Sequence, residues 1–166
     1  EQIMYAAPLH DVGKVGIPDQ ILNKPGPLND SEWDVMKTHA MIGYEILKNS
    51  RRPIIQAGAL IARDHHEKWD GSGYPTGKKA DDIHIYGRIA ALADAYDALR
   101  HRRCYKEAWE LPVVMTYIRE ESGKHFDPEL VEIFEAQVDK LEAILQKYPD
   151  DKIETDSIMP VTDNKG

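Results

Sequence analysis

The stretch I-I-Q-A-G-A-L-I-A-R-D-H-H-E-K, residues 54–68, decides the fold class. When it is drawn as a helix, apolar side chains cover nearly every side, which is typical of a helix buried in a protein core. The same stretch closes with two adjacent histidines, His65 and His66. It therefore predicts a core helix with two imidazoles at its carboxyl end.

A second helix is predicted on the amino-terminal side of this stretch. Asn29 and Glu32 match a capping box, which marks the start of a helix. The apolar residues that follow recur at helical spacing and predict a helix to about Asn49. Trp33 and Met36 belong to this apolar stripe, and we expect both in the core.

The remaining helices are predicted by the same periodicity and by start signals. Asp127 followed by Pro128 begins a helix that continues to about Lys147. Further helical segments lie at residues 2–11, 84–100 and 111–121. Glycine and proline mark loops at residues 13–28 and 69–83. Because strand patterns are weak throughout, we predict an all-α protein.

Composition limits the possible functions. The 166 residues carry 21 Lys and Arg against 29 Asp and Glu, a net charge of −8, and 42% are hydrophobic. This balance is typical of one globular domain and disfavours extended nucleic acids and anionic membranes as partners. The single cysteine, Cys104, fits a reducing compartment, and neither a secretory leader nor a long apolar run is present. We therefore expect a cytoplasmic protein.

Histidine and aspartate residues recur on four of the predicted helices or at their ends. Each one alone is weak, because a lone histidine or aspartate usually has a structural or surface role. Together they could converge in the core of a helical bundle, where helical folds build metal sites. The set consists of His10, Asp11, His39, His65, His66 and Asp94. Imidazole and carboxylate together suit Fe, Mn, Zn, Co or Ni better than Ca or Mg.

Asp94 lies among alanines on its predicted helix. A carboxylate buried in so apolar a helix is costly unless it is paired or binds a metal. The alternative to a metal is a buried ion pair with an arginine such as Arg88 or Arg63. Both interpretations stay open at the level of the sequence.

Three cations lie close in sequence to these residues: Lys14, Arg103 and Lys106. Lysines and arginines usually face solvent. Beside two metals, however, they would suit a phosphate ester. Metals about 3.5–4 Å apart activate a water and stabilise in-line displacement at phosphorus.

Several motifs in a fixed order resemble one known family. They are L-H-D-V-G-K-V-G-I-P-D-Q-I-L-N-K-P-G-P-L (residues 9–28), M-K-T-H-A-M-I-G (36–43), H-H-E-K-W-D-G-S-G-Y-P (65–75), R-I-A-A-L-A-D-A-Y-D-A-L (88–99), R-x-Y-K (103–106) and G-K-H-F-D-P-E-L-V (123–131). Over roughly residues 3–140 the chain resembles the HD-GYP family of bacterial cyclic-dinucleotide phosphodiesterases, a branch of the HD-domain metal-dependent phosphohydrolases. The resemblance implies an HD-domain helical bundle with a metal site in its core.

The resemblance also implies a role for each matching residue. The six histidines and aspartates resemble the family's metal ligands, with Asp11 bridging two divalent ions, for which Fe or Mn is favoured over Zn, Co or Ni. Lys14 resembles a lysine that contacts the scissile phosphate, and Tyr74 of the Gly-Tyr-Pro motif resembles a substrate-binding residue. Arg103 and Lys106 resemble cations that bind the phosphates of the ligand.

The implied reaction is hydrolysis of cyclic di-GMP to linear pGpG, and then to GMP, by a hydroxide that bridges the metals, with Asp11 and Lys14 as catalytic residues. Three alternatives remain. The substrate is cyclic GMP-AMP or another nucleotide; the domain is a signalling module that binds cyclic di-GMP with little turnover; or the histidines are structural. A substrate panel distinguishes cyclic di-GMP from cyclic GMP-AMP and other nucleotides. Binding without turnover would support the signalling module, and metal analysis of Asp11→Ala tests whether the histidines are structural.

The chain departs from the family pattern in three places. Some members hold a third metal through a Glu and a His well before the His-Asp pair, and here only nine residues precede His10. The segment around Arg103 lacks the usual Thr-Ser and Pro. Residues 77–87 read G-K-K-A-D-D-I-H-I-Y-G in place of the common Gly-Leu…Ile-Pro pattern. We expect the last difference to affect loop conformation and substrate access.

The expected organisation is one HD-GYP domain over residues 1–148, followed by a polar, mobile tail over residues 149–166. The chain opens on Glu1 without an initiator Met, which leads us to expect an upstream part. The resemblance implies a receiver or sensor domain there, as in a response regulator. It is also compatible with a homodimer and with a signalling-protein partner.

Overall fold

The computed structural model describes residues 2–101 and 108–147. In these residues the chain is helical without a strand, which confirms the predicted all-α class, and one isolated bridge joins Ser122 to Phe126. Short 3-10 helices lie at Ala7–Leu9, Val12–Gly16 and Ala80–Asp82. The α-helices are α1 (Gln2–Ala6), α2 (Asp19–Leu22), α3 (Asp30–Lys37), α4 (His39–Leu47), α5 (Pro53–Asp64), α6 (Ile85–Arg100), α7 (Leu111–Glu120), α8 (Pro128–Glu135) and α9 (Val138–Lys147).

Helix α5 is the central element and packs against α1, α4 and α6. Its Ala57 and Ile61 side chains are buried and form a core cluster with Ala6 of α1. Pro53 occupies the start of α5, where a missing backbone N–H costs nothing because the first N–H groups have no partner within the helix. The apolar stretch thus forms the core helix as predicted. Packing around it fixes the position of its carboxyl end.

The helix predicted from Asn29 begins as expected but is divided in two. The capping box is formed, since the Glu32 backbone N–H donates to the Asn29 side chain at 2.9 Å and the Asn29 N–H donates to the Glu32 carboxylate at 2.8 Å. The division falls at Thr38, whose backbone N–H donates to the Val35 carbonyl three residues earlier. This tighter turn separates α3 from α4, which begins at His39.

The expectation that Trp33 lies in the core is wrong, because its side chain is 47% exposed. Helix α3 runs along the surface and has no buried residue, and Met36 is only half-buried. The periodicity of α3 reflects one partly covered face rather than burial in the core.

The amino-terminal helix is also shorter than the predicted segment 2–11. Helix α1 ends at Ala6 and continues as a 3-10 turn that contains Pro8, which has no N–H to donate to an α-helix. The His10 backbone N–H donates to the Ala7 carbonyl at 3.1 Å and closes this turn. The tighter turn carries the chain directly into the His10-Asp11 pair.

The last predicted helix, from Asp127 to Lys147, is two helices. Helix α8 ends at Glu135, and the Gln137 carbonyl accepts hydrogen bonds from Lys140 and Leu141, which starts α9. The chain divides here into two compact units, Glu1–Ala136 and Gln137–Gly166. Residues 148–166 lie outside the described residues, so the boundary after residue 148 and the mobile tail stay predictions.

None of the helices in residues 2–101 and 108–147 combines the length and the apolar character that a membrane span requires.

Candidate metal centre

Three segments of the first unit bring the predicted ligands together. The turn before Val12 carries Asp11, the first residue of α4 is His39, and the carboxyl end of α5 carries His65 and His66. One ligand atom from each of these four residues lies within 4.8 Å of the others. Residues from distant parts of the sequence thus form one compact donor group.

Gly13 allows the turn with Asp11 to approach α4 this closely. A Cβ atom at Gly13 would lie 1.9 Å from the His39 carbonyl oxygen and 2.4 Å from the Gly43 backbone nitrogen. Both neighbours are backbone atoms, which cannot rotate away as a side chain can. Only glycine therefore permits this contact, and the contact places Asp11 beside His39.

Main-chain carbonyls fix the orientation of three imidazoles. The Nδ1 atoms of His10, His39 and His65 lie 2.9 Å from Ala7 O, 2.8 Å from Met36 O and 3.0 Å from Ala62 O, respectively. A carbonyl only accepts, so each Nδ1 donates. In the neutral rings of His39 and His65 the lone pair then lies on Nε2, whereas the Nε2 of His10, 3.2 Å from Asp11 Oδ2, is the atom that donates to Asp11 when His10 is protonated. A hydrogen bond from the other ring nitrogen to a carbonyl is how metal-ligating histidines are held in orientation.

Two of these lone pairs point at each other. The Nε2 atoms of His39 and His65 are 3.4 Å apart, although the bonds from their Nδ1 atoms make both of them acceptors. Two acceptors at this distance repel unless a cation lies against both. The chemistry of this donor group therefore fits a divalent metal of the kind that imidazole and carboxylate bind.

The two oxygens of Asp11 face different groups. Its Oδ1 lies 3.4 Å from His39 Nε2 and 3.9 Å from His65 Nε2. Its Oδ2 lies 3.2 Å from His10 Nε2 and 2.6 Å from Lys14 Nζ. Asp11 thus separates a buried imidazole group from a more exposed group.

Burial and mutual repulsion favour the neutral imidazoles of His65 and His66. Burial, with a smaller contribution from repulsion by the neighbouring histidines, lowers the pKa of His65 to about 4 and the pKa of His66 to about 2. For Asp11, burial alone would raise the pKa, but hydrogen bonds from His10 and Lys14 hold it well below its ordinary value. The hydrogen bond with Asp11 raises the pKa of His10. The neutral imidazoles of His65 and His66 beside the ionised carboxylate of Asp11 are the protonation states that metal binding requires.

Asp94 lies near this group but is not part of its tight core. Its side chain is exposed and lines a cavity of about 390 Å³ together with His10 and His65. The expected burial of Asp94 is therefore wrong, because the buried face of α6 carries Ala91 and Leu92 instead.

The proposed arginine partners of Asp94 form other ion pairs. Arg63 donates to Asp64 at 2.7 Å, and Arg88 donates to Asp127 at 2.8 Å. Neither arginine therefore pairs with Asp94, and the Asp94 carboxylate lines the same cavity as His10.

Tyr74 is held against the candidate metal-ligating histidine His66. Its ring stacks on His66 with a centroid separation of 4.6 Å and an interplanar angle of 25°. Its backbone N–H donates to the His66 carbonyl at 3.1 Å. A Cβ at Gly73 would lie 2.3–2.6 Å from backbone atoms of residues 66–68, so the glycine of the Gly-Tyr-Pro motif allows this close approach.

Sequence reasoning missed two buried carboxylates on either side of the histidine pair. Asp64 is fully buried and binds the side chains of Arg63 and Lys78, while Glu67 is 2% exposed and accepts hydrogen bonds from the following loop. The signal was present, because charged residues flank His65-His66 at the end of an otherwise apolar helix. The other two predicted substrate contacts, Arg103 and Lys106, lie outside the described residues.

Comparisons with known proteins agree with this fold and site. The family model described as HD domain matches residues 1–130. A 3'3'-cGAMP-specific phosphodiesterase of Vibrio cholerae is 48% identical over 150 residues, which cover 90% of this chain and 29% of the relative. A cyclic di-GMP phosphodiesterase of Thermotoga maritima is 53% identical over 133 residues, which cover 80% of this chain and 36% of the relative. The chain thus spans about a third of the length of the curated relatives it matches.

A solved structure supports the fold. The crystal structure of a cyclic GMP-AMP specific phosphodiesterase of V. cholerae superposes with a TM-score of 0.64 at 20% identity. The match covers 90% of this chain and 41% of the other.

The chain belongs to the HD domain family, since the family model matches most of its length. The ordered motifs from the His-Asp pair to Gly-Tyr-Pro, together with the relatives named above, place it in the HD-GYP branch.

Proposed function

We propose that the group around Asp11 is the metal-dependent active site of a phosphodiesterase that hydrolyses a cyclic dinucleotide, with cyclic di-GMP as the favoured substrate. The observation that carries the proposal is the two-sided environment of Asp11, with His39 and His65 at one oxygen and His10 at the other. The names of the relatives, which specify cyclic di-GMP or cGAMP, support the substrate class.

Two divalent ions would bind on the two sides of Asp11. The buried side offers His39, His65 and His66, and the exposed side offers His10 with Asp94 at the edge of the same cavity. This donor set suits Fe, Mn, Zn, Co or Ni, and the family resemblance favours Fe or Mn among them. Bound ions would lower the pKa of a water molecule enough to supply a nucleophile near neutral pH and would offset charge on the phosphate.

The chain's own residues orient and stabilise the reacting phosphate. The Lys14 ammonium lies 2.6 Å from Asp11 Oδ2 on the exposed side of the site, and a side chain that is 42% exposed has room to rotate towards a phosphate oxygen. There it offsets the negative charge that develops in the transition state. The oxygen of a water molecule bonds to phosphorus as the P–O3′ bond breaks, and the 3′ oxygen leaves with a proton that comes from that water. The product is a linear dinucleotide with a 5′ phosphate, which a second hydrolysis converts to mononucleotides.

Three further residues are proposed to bind the parts of the ligand away from the reacting phosphate. Tyr74 presents an aromatic ring beside His66 for the sugar or the base. Arg103 and Lys106 are proposed on the family resemblance to bind the ligand's phosphates.

The test is direct turnover of cyclic di-GMP. The purified chain is loaded with Mn or Fe and incubated with cyclic di-GMP, and linear pGpG is measured by chromatography. Asp11→Asn keeps the side-chain shape but removes the charge that both sides of the site share. We expect at least about a 100-fold loss, since even residues that only support metal ligands cost 10–100-fold.

The matched control is Glu45→Gln, which changes an exposed carboxylate that pairs with Lys48 on the surface of α4. This variant should retain wild-type turnover. A metal-loaded wild-type chain that forms no linear product would contradict the enzyme proposal.

Cyclic GMP-AMP is the second candidate substrate, because one relative at 48% identity is named for it. The ratio of kcat/KM for cyclic di-GMP and 3'3'-cGAMP, measured on one protein preparation, decides between them. Tight binding of either nucleotide without product would support the signalling-module alternative.

The wider context is proposed on the family resemblance. It comprises a domain over residues 1–148 with a tail over 149–166, an upstream receiver or sensor domain as in a response regulator, a homodimer, a signalling-protein partner and a cytoplasmic location. Light scattering on the purified chain measures its oligomeric state.

A further inference from the structure

The loop after the histidine pair is held by a carboxylate that takes no part in the metal-binding group. We infer that Glu67 is a positioning residue. It fixes the loop of residues 68–79 so that Tyr74 stays against His66, and it thereby sets the affinity for the cyclic dinucleotide rather than the rate of bond cleavage. This inference rests on the proposed function.

The hydrogen bonds to the Glu67 side chain come from this loop. Its Oε1 accepts hydrogen bonds from the Thr76 backbone N–H at 2.8 Å and from the Thr76 hydroxyl at 2.6 Å. Its Oε2 accepts from the Lys78 backbone N–H at 3.0 Å. A buried carboxylate is costly without such partners, and hydrogen bonds to a charged group are among the stronger ones. Glu67 and this loop segment therefore stabilise each other.

A second carboxylate holds the same loop residue. The Lys78 ammonium lies 2.8 Å and 3.0 Å from the two oxygens of Asp64, which is fully buried at the end of α5. Lys78 thus reaches two carboxylates that flank the histidine pair, one through its backbone and one through its side chain. In the family pattern a leucine follows the glycine at this point, whereas in this chain Lys78 follows Gly77. An ion pair therefore holds the loop here in place of an apolar side chain.

Tyr74 lies between the two held ends of the loop. On the amino-terminal side, the Trp69 backbone N–H donates to the His125 carbonyl at 3.1 Å. On the carboxyl-terminal side, Glu67 holds Thr76 two residues after Tyr74. The segment 70–79 has no helix or strand, so these contacts decide where its backbone runs. Release of Thr76 would leave the bond from the Tyr74 N–H to the His66 carbonyl as the anchor nearest the ring, and it would loosen the stacking of the Tyr74 ring on His66.

The test compares a nucleotide with a small phosphodiester. In Glu67→Gln an NH2 group, which only donates, takes the place of one carboxylate oxygen. At Oε2 it removes the acceptor of the Lys78 backbone N–H, and at Oε1 it removes the acceptor of the Thr76 backbone N–H. We expect the KM for cyclic di-GMP to rise about tenfold while kcat changes less than about twofold, the pattern that loss of uniform binding produces. Metal content and hydrolysis of bis(4-nitrophenyl) phosphate should stay at wild-type values, since that ester is too small to depend on Tyr74.

Thr76→Val is the milder second variant. It removes only the hydroxyl donor to Glu67 and keeps a β-branched side chain at an exposed position, so it carries the test if Glu67→Gln fails to fold. We expect a smaller rise in KM, about threefold, with the same unchanged kcat. Glu45→Gln, the same substitution on an exposed carboxylate, should change neither constant.

A double-mutant cycle shows whether Glu67 acts through Tyr74. If it does, Tyr74→Ala combined with Glu67→Gln should raise KM no more than about twofold beyond Tyr74→Ala alone, because residues that act as a unit are not additive. Additive effects, or an equal loss on both substrates, would overturn the inference. Absence of cyclic-dinucleotide turnover by the wild-type chain would instead overturn the proposed function, and the inference with it.

Discussion

The metal-binding character of the site depends on which nitrogen of each imidazole is free. In His39 and His65 the Nδ1 atom donates to a carbonyl of the preceding turn, so Nε2 faces inward as an acceptor. The two Nε2 atoms and the Asp11 carboxylate then converge without a hydrogen-bond donor between them. A divalent cation satisfies all three groups at once, which is why we regard the cluster as a metal site rather than a set of structural histidines.

The contact between Gly13 and α4 makes this convergence possible, and Gly13→Ala tests it. An added Cβ would meet the His39 carbonyl at 1.9 Å, so the Asp11 turn must move away from α4. We expect a loss of about 3 kcal/mol in the free energy of unfolding, the upper range for overpacking, and weaker metal binding. Urea denaturation and a metal titration measure the two effects.

Gly16→Ala is the control from the same turn. Its Cβ would meet only the Ile42 side chain, at 3.0 Å, and that side chain can adjust. Equal losses of stability and of metal affinity in both variants would contradict the role assigned to Gly13.

Residue types and motif order predict most of the participants in the site, but not their arrangement. The sequence marks His39 and His65, which lie 26 residues apart, as candidates. It cannot show that the two oxygens of Asp11 face different groups, because that depends on how the 3-10 turn packs on α4. Glu67 was missed for the same reason, since its partners are defined only once the loop has folded back.

At the scale of secondary structure, one helix serves both the core and the site. The buried faces of α5 lock it between α1, α4 and α6, so that its carboxyl end presents His65 and His66 in fixed positions. Local signals predicted this helix and the starts at Asn29 and Asp127 correctly. They failed at Thr38 and after Glu135, where a single turn divides a segment whose periodicity continues.

The cap of α8 provides a test at this scale. Asp127 is buried, accepts the Glu129 backbone N–H at 3.0 Å and pairs with Arg88 at 2.8 Å. Asp127→Ala removes both, and Arg88 already has one nitrogen, Nε, without a hydrogen-bond partner among the described residues. We expect a loss of about 3 kcal/mol in the free energy of unfolding, measured by urea denaturation.

Asn29→Ala removes a cap from an exposed helix start and should cost only about 1 kcal/mol. Asp127→Asn keeps an acceptor for the cap but loses the charge. Its cost in free energy of unfolding should therefore lie between that of Asn29→Ala and that of Asp127→Ala. If Asp127→Ala costs no more than Asn29→Ala, the ion pair with Arg88 contributes nothing.

At the scale of the whole molecule, net charge and local charge differ. The net charge of −8 disfavours polyanionic partners, yet Asp11 and Asp94 belong to the proposed site, and two divalent ions would halve that charge. Lys14 adds a positive charge at the same place. An acidic protein can therefore bind a small phosphodiester through a local pocket.

Metal binding should stabilise the first unit, Glu1–Ala136, because the donor group joins three segments of this unit that are separate in the unfolded state. At a Mn concentration about 100 times its Kd, the stabilisation is about 2.7 kcal/mol, which raises Tm by roughly 5–10 °C for a chain of this size. Scanning calorimetry measures the shift, and a chelator should reverse it. An equal shift in Asp11→Asn would show that the ions bind elsewhere.

Anomalous scattering from crystals grown with Mn or Fe tests the central claim most directly. The two-sided environment of Asp11 predicts two peaks, about 3.5–4 Å apart, one beside His39, His65 and His66 and the other beside His10. Peaks that lie away from Asp11, or a crystal with full metal supply and no peak at this cluster, would contradict it.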